Sequence, residues 1–352
     1  MHKVRFAIDH RVPTPPGEPG GMSHPLASRF RSAAWVAVGL MAVFAAGTGC
    51  APDMPVPGDP PAPPGRELVE QKSGAALYRE DGVEDALWLE MDRLAASGGP
   101  IGGYFTQPQG GRNAMVVVLE GANSGGPDNR LPHTLATHRS LGWSFVAAGF
   151  DTWTPLVREC GTPYGQDDLA DALALVDWLE GGGAAALGAE RLYVVGYSKG
   201  ATLATLLNLR RAVTAYVSLN GLTQPNQLED NEMLYGIMVR ILPYNEVLCQ
   251  IQSTLAGYGP PGSPGWDVLD AVSRIGDLHS PELFVHDLGD LVYTSSNTRA
   301  MQDRYEAGLA AGESLVSLDF LYLEGADHYA ARTDPAVHQQ IIDYLNRFEP
   351  AD

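Results

Sequence analysis

The sequence predicts an α/β domain with a mostly parallel central sheet, helices on both faces and a cap insertion. Three observations carry this. From Arg66 onward, short apolar runs alternate with helical patterns, as expected for strands buried on both faces by intervening helices. The chain of 352 residues is 45% hydrophobic and 18% charged, enough to fill a large core. No internal repeat stands out, which argues against a solenoid or propeller.

The elements follow in order. Ile101 to Thr106 reads as an early strand. Ala114 through Leu119 is a continuous apolar run that suits a buried strand, and Glu120-Gly121 ends it. A helix fits Thr134 to Ala148, and Phe150 to Leu156 is the next strand. Asp167-Asp168 opens a helix with Leu169, Ala172, Leu173, Val176 and Leu179 on one face and acids at its positive end. Arg191 to Val195 is a strand and Ala201 to Arg211 a helix. Ala215 to Asn220, Leu283 to Val285 and Phe320 to Leu323 are further strands, and 335–348 is a closing helix. Residues 221–281 interrupt this rhythm with an apolar helical stretch and Gly/Pro-rich connections. An insertion there lies beyond the carboxyl ends of the strands, where open α/β sheets bind ligands, and is read as a cap. The alternative is that it serves packing alone.

Residues 1–49 read as an export segment. Arg29-Phe30-Arg31 precedes an apolar run from Ala33 to Ala46, the right length for a secretory signal and short for a membrane span. Gly47-Thr48-Gly49-Cys50 resembles the lipobox of bacterial lipoproteins, with Gly47 where that family usually has leucine. The resemblance implies acylation at Cys50 and a membrane tether; ordinary cleaved secretion and an uncleaved anchor remain the alternatives. Residues 50–65, dense in proline, read as a semi-rigid spacer leading to a catalytic domain over 66–352.

The whole chain carries a net charge of −19; without residues 1–49, 18 basic and 40 acidic side chains remain. Such a surface repels nucleic acid, so no nucleic-acid partner is expected. Cys160 and Cys249 would meet an oxidising compartment after export, and a disulfide or two separate buried thiols fit equally. Neither their spacing nor that of the histidines fits a metal site, and no cofactor is expected.

Gly196-Tyr197-Ser198-Lys199-Gly200 contains a G-x-S-x-G pattern. In a chain with 40 glycines that pattern alone is weak, so context decides. The context is a strand through Val195, a turn at the motif and a helix from Ala201, the arrangement that exposes a serine hydroxyl on a sharp elbow. From about Met115 to the C-terminus the chain resembles the α/β-hydrolase superfamily. The resemblance implies the order nucleophile, acid, histidine, with Ser198 as nucleophile. Leu283 through Asp290 resembles the family stretch H-G-x-x-D. Asp290 matches the acid, while Asp287 replaces the family glycine and is the second candidate. His286 matches a position that is usually structural. Of His133, His138, His279, His286, His328 and His338, only His328 directly follows the last strand, and it is the expected base. His338, inside the closing helix, is the poorer candidate.

The implied chemistry is attack of Ser198 on an acyl carbonyl, with backbone N–H groups of Lys199 and Ala122 as oxyanion donors. Glu120-Gly121 stands where the family often has His-Gly, which leaves the backbone donor in place but removes the usual loop support. The Lys199 side chain is read as solvated, the alternative being attraction of an anionic substrate. A small-molecule ester or acyl substrate is expected. A serine peptidase, a thioesterase and a non-catalytic surface lipoprotein are the alternatives.

Overall fold

The computed structural model describes residues 65–94, 100–122, 130–156, 165–224, 253–254, 256–259, 263–325 and 327–350. The export segment, Cys50, the spacer up to residue 64, Cys160, Cys249 and residues 225–252 of the insertion lie outside them. Among the described residues no helix is long and apolar enough to cross a membrane.

Ten strands form one sheet: β1 (Arg66–Lys72), β2 (Ala75–Glu80), β3 (Leu87–Leu94), β4 (Pro100–Thr106), β5 (Ala114–Leu119), β6 (Asp151–Pro155), β7 (Arg191–Tyr197), β8 (Ala215–Leu219), β9 (Glu282–Asp287) and β10 (Leu318–Leu323). Their spatial order is β1-β2-β3-β4-β6-β5-β7-β8-β9-β10. β5 to β10 are parallel, as the alternating pattern predicts. β1 to β4 form an antiparallel meander that joins through β4 to β6. Parallel strands force a crossover over one face or the other, and these crossovers supply the covering helices.

β5 shows why its run is apolar throughout. Met115, Val117 and Leu119 enter one core, with Leu169, Leu175 and Val176 of helix Asp167–Trp178 and Leu203, Leu206 and Leu207 of helix Lys199–Asn208. Ala114, Val116 and Val118 enter the other, with Phe145 of helix Trp143–Ala147 and Val337, Ile341 and Leu345 of helix Pro335–Leu345. Alternate side chains point to opposite faces, and both faces are dry.

The described part of the insertion packs into the first core. Trp266, Leu269, Ala271, Ile275 and Leu278 are buried there. The Ala271 N–H donates to the Thr223 carbonyl at 3.0 Å, and the His279 N–H to the Asn208 carbonyl at 3.1 Å. The rest of the 221–281 insertion read as a cap, residues 225–252, 255 and 260–262, lies outside the described residues.

The predicted helix over 134–148 is interrupted. Helix Arg130–Thr137 passes through a π-helical turn at His138–Gly142 into helix Trp143–Ala147. The turn lodges His138 between strands: its Nε2 lies 2.9 Å from Thr106 Oγ1 and its Nδ1 2.9 Å from Thr154 Oγ1. Two hydroxyls suit a neutral ring, and burial lowers the His138 pKa to about 4. The contribution of this neutral ring to stability is full above about pH 6.5 and lost as pH falls through about 4, a change of about 3 kcal/mol. Urea titrations of wild type and His138→Gln should therefore differ in acid sensitivity, the variant lacking this part of the loss between pH 6.5 and 4. Equal slopes would contradict the assignment.

Candidate active site

Ser198 sits between β7 and helix Lys199–Asn208 with φ 54° and ψ −116°, a conformation that side chains other than glycine rarely adopt. The surrounding contacts hold it there. A Cβ on Gly196 would lie 2.1 Å from the Gly200 carbonyl oxygen, and one on Gly200 would lie 2.1 Å from the Leu119 carbonyl oxygen. Both glycines are thus fixed by backbone approach, one within the elbow and one between the helix start and β5. The Ser198 N–H donates to the Leu219 carbonyl at 2.8 Å, tying the elbow to β8.

The three residues named from the sequence lie together at the carboxyl ends of β7, β9 and β10. Ser198 Oγ is 2.9 Å from His328 Nε2, and Asp290 Oδ2 is 2.8 Å from His328 Nδ1. The other carboxylate oxygen of Asp290 accepts the Val292 N–H at 2.6 Å and the Tyr293 N–H at 3.0 Å. This turn aims Oδ2 at the imidazole, and the Nδ1 proton directed to it leaves Nε2 as the acceptor facing Ser198. All three side chains are buried.

Asp287, the second acid candidate, does not reach the imidazole. Its Oδ2 accepts Asn220 Nδ2 at 2.5 Å and the Ala331 N–H at 3.3 Å. Burial raises its pKa, opposed by the Asn220 amide. His286 lies beneath Asp290, with Nε2 donating to the Tyr293 carbonyl at 2.7 Å and Nδ1 facing Thr298 Oγ1 at 2.7 Å. His338 pairs with Ser144 Oγ at 2.7 Å and the Arg332 carbonyl at 2.9 Å.

The loop after β5 passes against Ser198. A Cβ on Gly121 would meet Ser198 Cβ at 3.1 Å and the Tyr197 ring at 3.0 Å, so only glycine fits without displacement. Ala122 follows, half-buried. Support for this loop comes from the buried Glu120 side chain, whose Oε1 accepts Thr134 Oγ1 at 2.8 Å. His133 Nε2 lies 3.9 Å from the other carboxylate oxygen of Glu120. On the opposite side, Lys199 heads its helix, and a helix N-terminus favours negative charge.

The Lys199 side chain corrects the expectation of solvation. It is buried, with Nζ 3.4 Å from Asp168 Oδ2. The acid at the start of helix Asp167–Trp178 stands where solvent was expected. That neutralised pair also removes it as an attractant for anions.

Three residues around His328 escaped the sequence reading. The Tyr197 and Tyr293 rings lie 5.4 and 6.0 Å from the imidazole, and Asn220 contacts the His328 backbone. Tyr197 stands inside the G-x-S-x-G pattern, the one available signal. Among the described residues no cluster of three or more His, Cys, Asp or Glu could hold a metal.

No protein-family model matches the sequence, and no curated protein matches it. Solved structures do resemble the fold. Esterase B from Lactobacillus rhamnosis is 14% identical, with a TM-score of 0.55 over 75% of this chain and 85% of that one. A truncated carbohydrate esterase from gut microbiota is 14% identical, with a TM-score of 0.54 over 70% and 90% of the two chains. The acylaminoacyl peptidase of Pyrococcus horikoshii is 12% identical, with a TM-score of 0.51 over 81% of this chain. The present chain spans about half, 51%, of that peptidase. At such identities the likeness concerns architecture: the chain has the α/β-hydrolase fold.

Proposed function

We propose that the chain is a serine hydrolase that cleaves carboxylic esters through an acyl-enzyme on Ser198. The observation that carries this reading is the continuous relay from Ser198 Oγ through His328 to Asp290, at 2.9 and 2.8 Å. A serine hydroxyl is a weak nucleophile by itself. His328 Nε2 removes its proton as Oγ attacks the acyl carbon, and Asp290 stabilises the resulting imidazolium. The oxyanion accepts backbone N–H groups of Lys199 and Ala122, each worth on the order of 10²–10³ in rate. Collapse expels the alcohol with the proton from His328. Water, deprotonated by the same nitrogen, then releases the carboxylic acid and restores Ser198.

The esterases among the similar folds favour an ester substrate, while the acylaminoacyl peptidase favours a peptidase as the second reading. Export through residues 1–49, acylation of Cys50 and a tether over 50–65 belong to the same proposal, with the enzyme held on a bacterial membrane outside the cytoplasm.

The test compares p-nitrophenyl esters of increasing acyl length with short peptide amides on the purified protein. Ester turnover should exceed amide turnover, and Ser198→Ala should lower it on the order of 10⁴-fold or more. Faster amide than ester turnover would overturn the substrate class.

A further inference from the structure

We propose that Asn220 and Tyr197 are positioning residues that fix the base His328 through its backbone carbonyl, with Asp287 orienting Asn220. The inference rests on the hydrolase reading and deepens it. His328 lies on a loop after β10, yet its ring must meet Ser198 and Asp290 at once. Loop backbone is the least constrained part of such a fold, so something must hold it.

Its carbonyl oxygen accepts two hydrogen bonds, from the Tyr197 hydroxyl at 3.0 Å and from Asn220 Nδ2 at 3.1 Å. Tyr197 is the residue before the nucleophile, and Asn220 is the residue after β8. The base is thereby tied to the strand carrying Ser198 and to its neighbour. Asn220 is fully buried and has φ 55°, a backbone conformation that asparagine tolerates better than most residues. Its amide is held in turn by the acid strand: Asn220 Oδ1 accepts the Asp287 N–H at 2.8 Å, and Nδ2 also donates to Asp287 Oδ2. Asp287 Oδ2 further accepts the Ala331 N–H at 3.3 Å, just beyond the base. The loop is thus gripped at His328 and again at Ala331. The carboxyl that replaces the expected glycine at 287 acquires a purpose: it orients the amide that orients the base.

A displacement of about 1 Å in a catalytic group can cost about 100-fold in rate. Tyr197→Phe removes one donor and keeps the buried ring. Asn220→Gly removes the other and suits the positive φ. In the full chain, each should lower kcat for p-nitrophenyl butyrate by about 10- to 100-fold with KM within about twofold, and the fluorophosphonate labelling rate should fall in parallel. Tyr344→Phe, which removes a buried hydroxyl without a partner far from these contacts, should change neither. Wild-type kcat and labelling rate in folded Tyr197→Phe and Asn220→Gly would overturn the inference. A Tm loss with unchanged kcat per folded molecule would do the same, since a merely structural role predicts it. If Asn220→Gly does not fold, Tyr197→Phe alone decides. Failure of the wild type itself to label would overturn the hydrolase reading and this inference with it; labelled wild type with unaffected variants would sink only the latter.

Discussion

Asp290→Asn lowers kcat for ester hydrolysis on the order of 10⁴-fold and leaves KM little changed. The carboxylate Oδ2 stands 2.8 Å from His328 Nδ1, and its other oxygen is held by the Val292 and Tyr293 N–H groups. An asparagine in that turn keeps its acceptor on the two N–H groups and turns its NH₂ toward the imidazole. The ring must then accept at Nδ1 and carry its proton on Nε2, which faces Ser198 and can no longer serve as base. Asp287→Asn leaves Nδ1 its partner, so its loss stays within about the 100-fold expected of a displaced base. Steady-state kinetics on both variants settles the assignment. A greater loss in Asp287→Asn would transfer the role of acid to that residue.

Lys199→Met destabilises the fold by about 3–5 kcal/mol, because it strands a carboxyl that has almost no contact with water. Asp168 keeps the Leu169 N–H at 2.9 Å and the favourable helix N-terminus, which offset part of the loss. Burial already raises the Asp168 pKa, and Lys199 is the main opposing charge. Without the lysine the folded pKa rises further. Stability linked to a raised carboxyl pKa is present below the unfolded value and lost as pH rises through the folded one, so the variant should recover at acid pH. Lys199→Met/Asp168→Leu should regain most of the loss at pH 7. Additive losses in chemical denaturation would show that the two side chains are not coupled.

How much of this was legible in the sequence varied with the physical signal. β5 and β7 announce themselves because both faces are buried and, apart from Arg191 at the start of β7, every residue is apolar or small. β1, Arg-Glu-Leu-Val-Glu-Gln-Lys, lies at the sheet edge with most of its side chains exposed, so neither an apolar run nor a clean alternation marks it. Helix Ser296–Ala310 was likewise silent: it buries only Asn297, Thr298, Met301 and Gly308, too few apolar positions to show a stripe. Ser198, Asp290 and His328 could be named because each follows a strand in the order that the resemblance implies. Lys199 misled because a charged residue beside a turn reads as solvated until a buried acid 31 positions earlier in the chain is seen beside it. Asn220 looked like an ordinary strand end, since its role depends on contacts with residues 67 and 108 positions away.

If Ser198 is a nucleophile activated by His328, it must react covalently with an electrophile that traps such serines. Intact-mass analysis after reaction with a fluorophosphonate, followed by peptide mapping, tests it most directly. One adduct per chain is expected, on Ser198, lost in Ser198→Ala and strongly slowed in His328→Ala. An unmodified wild-type protein, or an adduct on another residue that persists in Ser198→Ala, would contradict it.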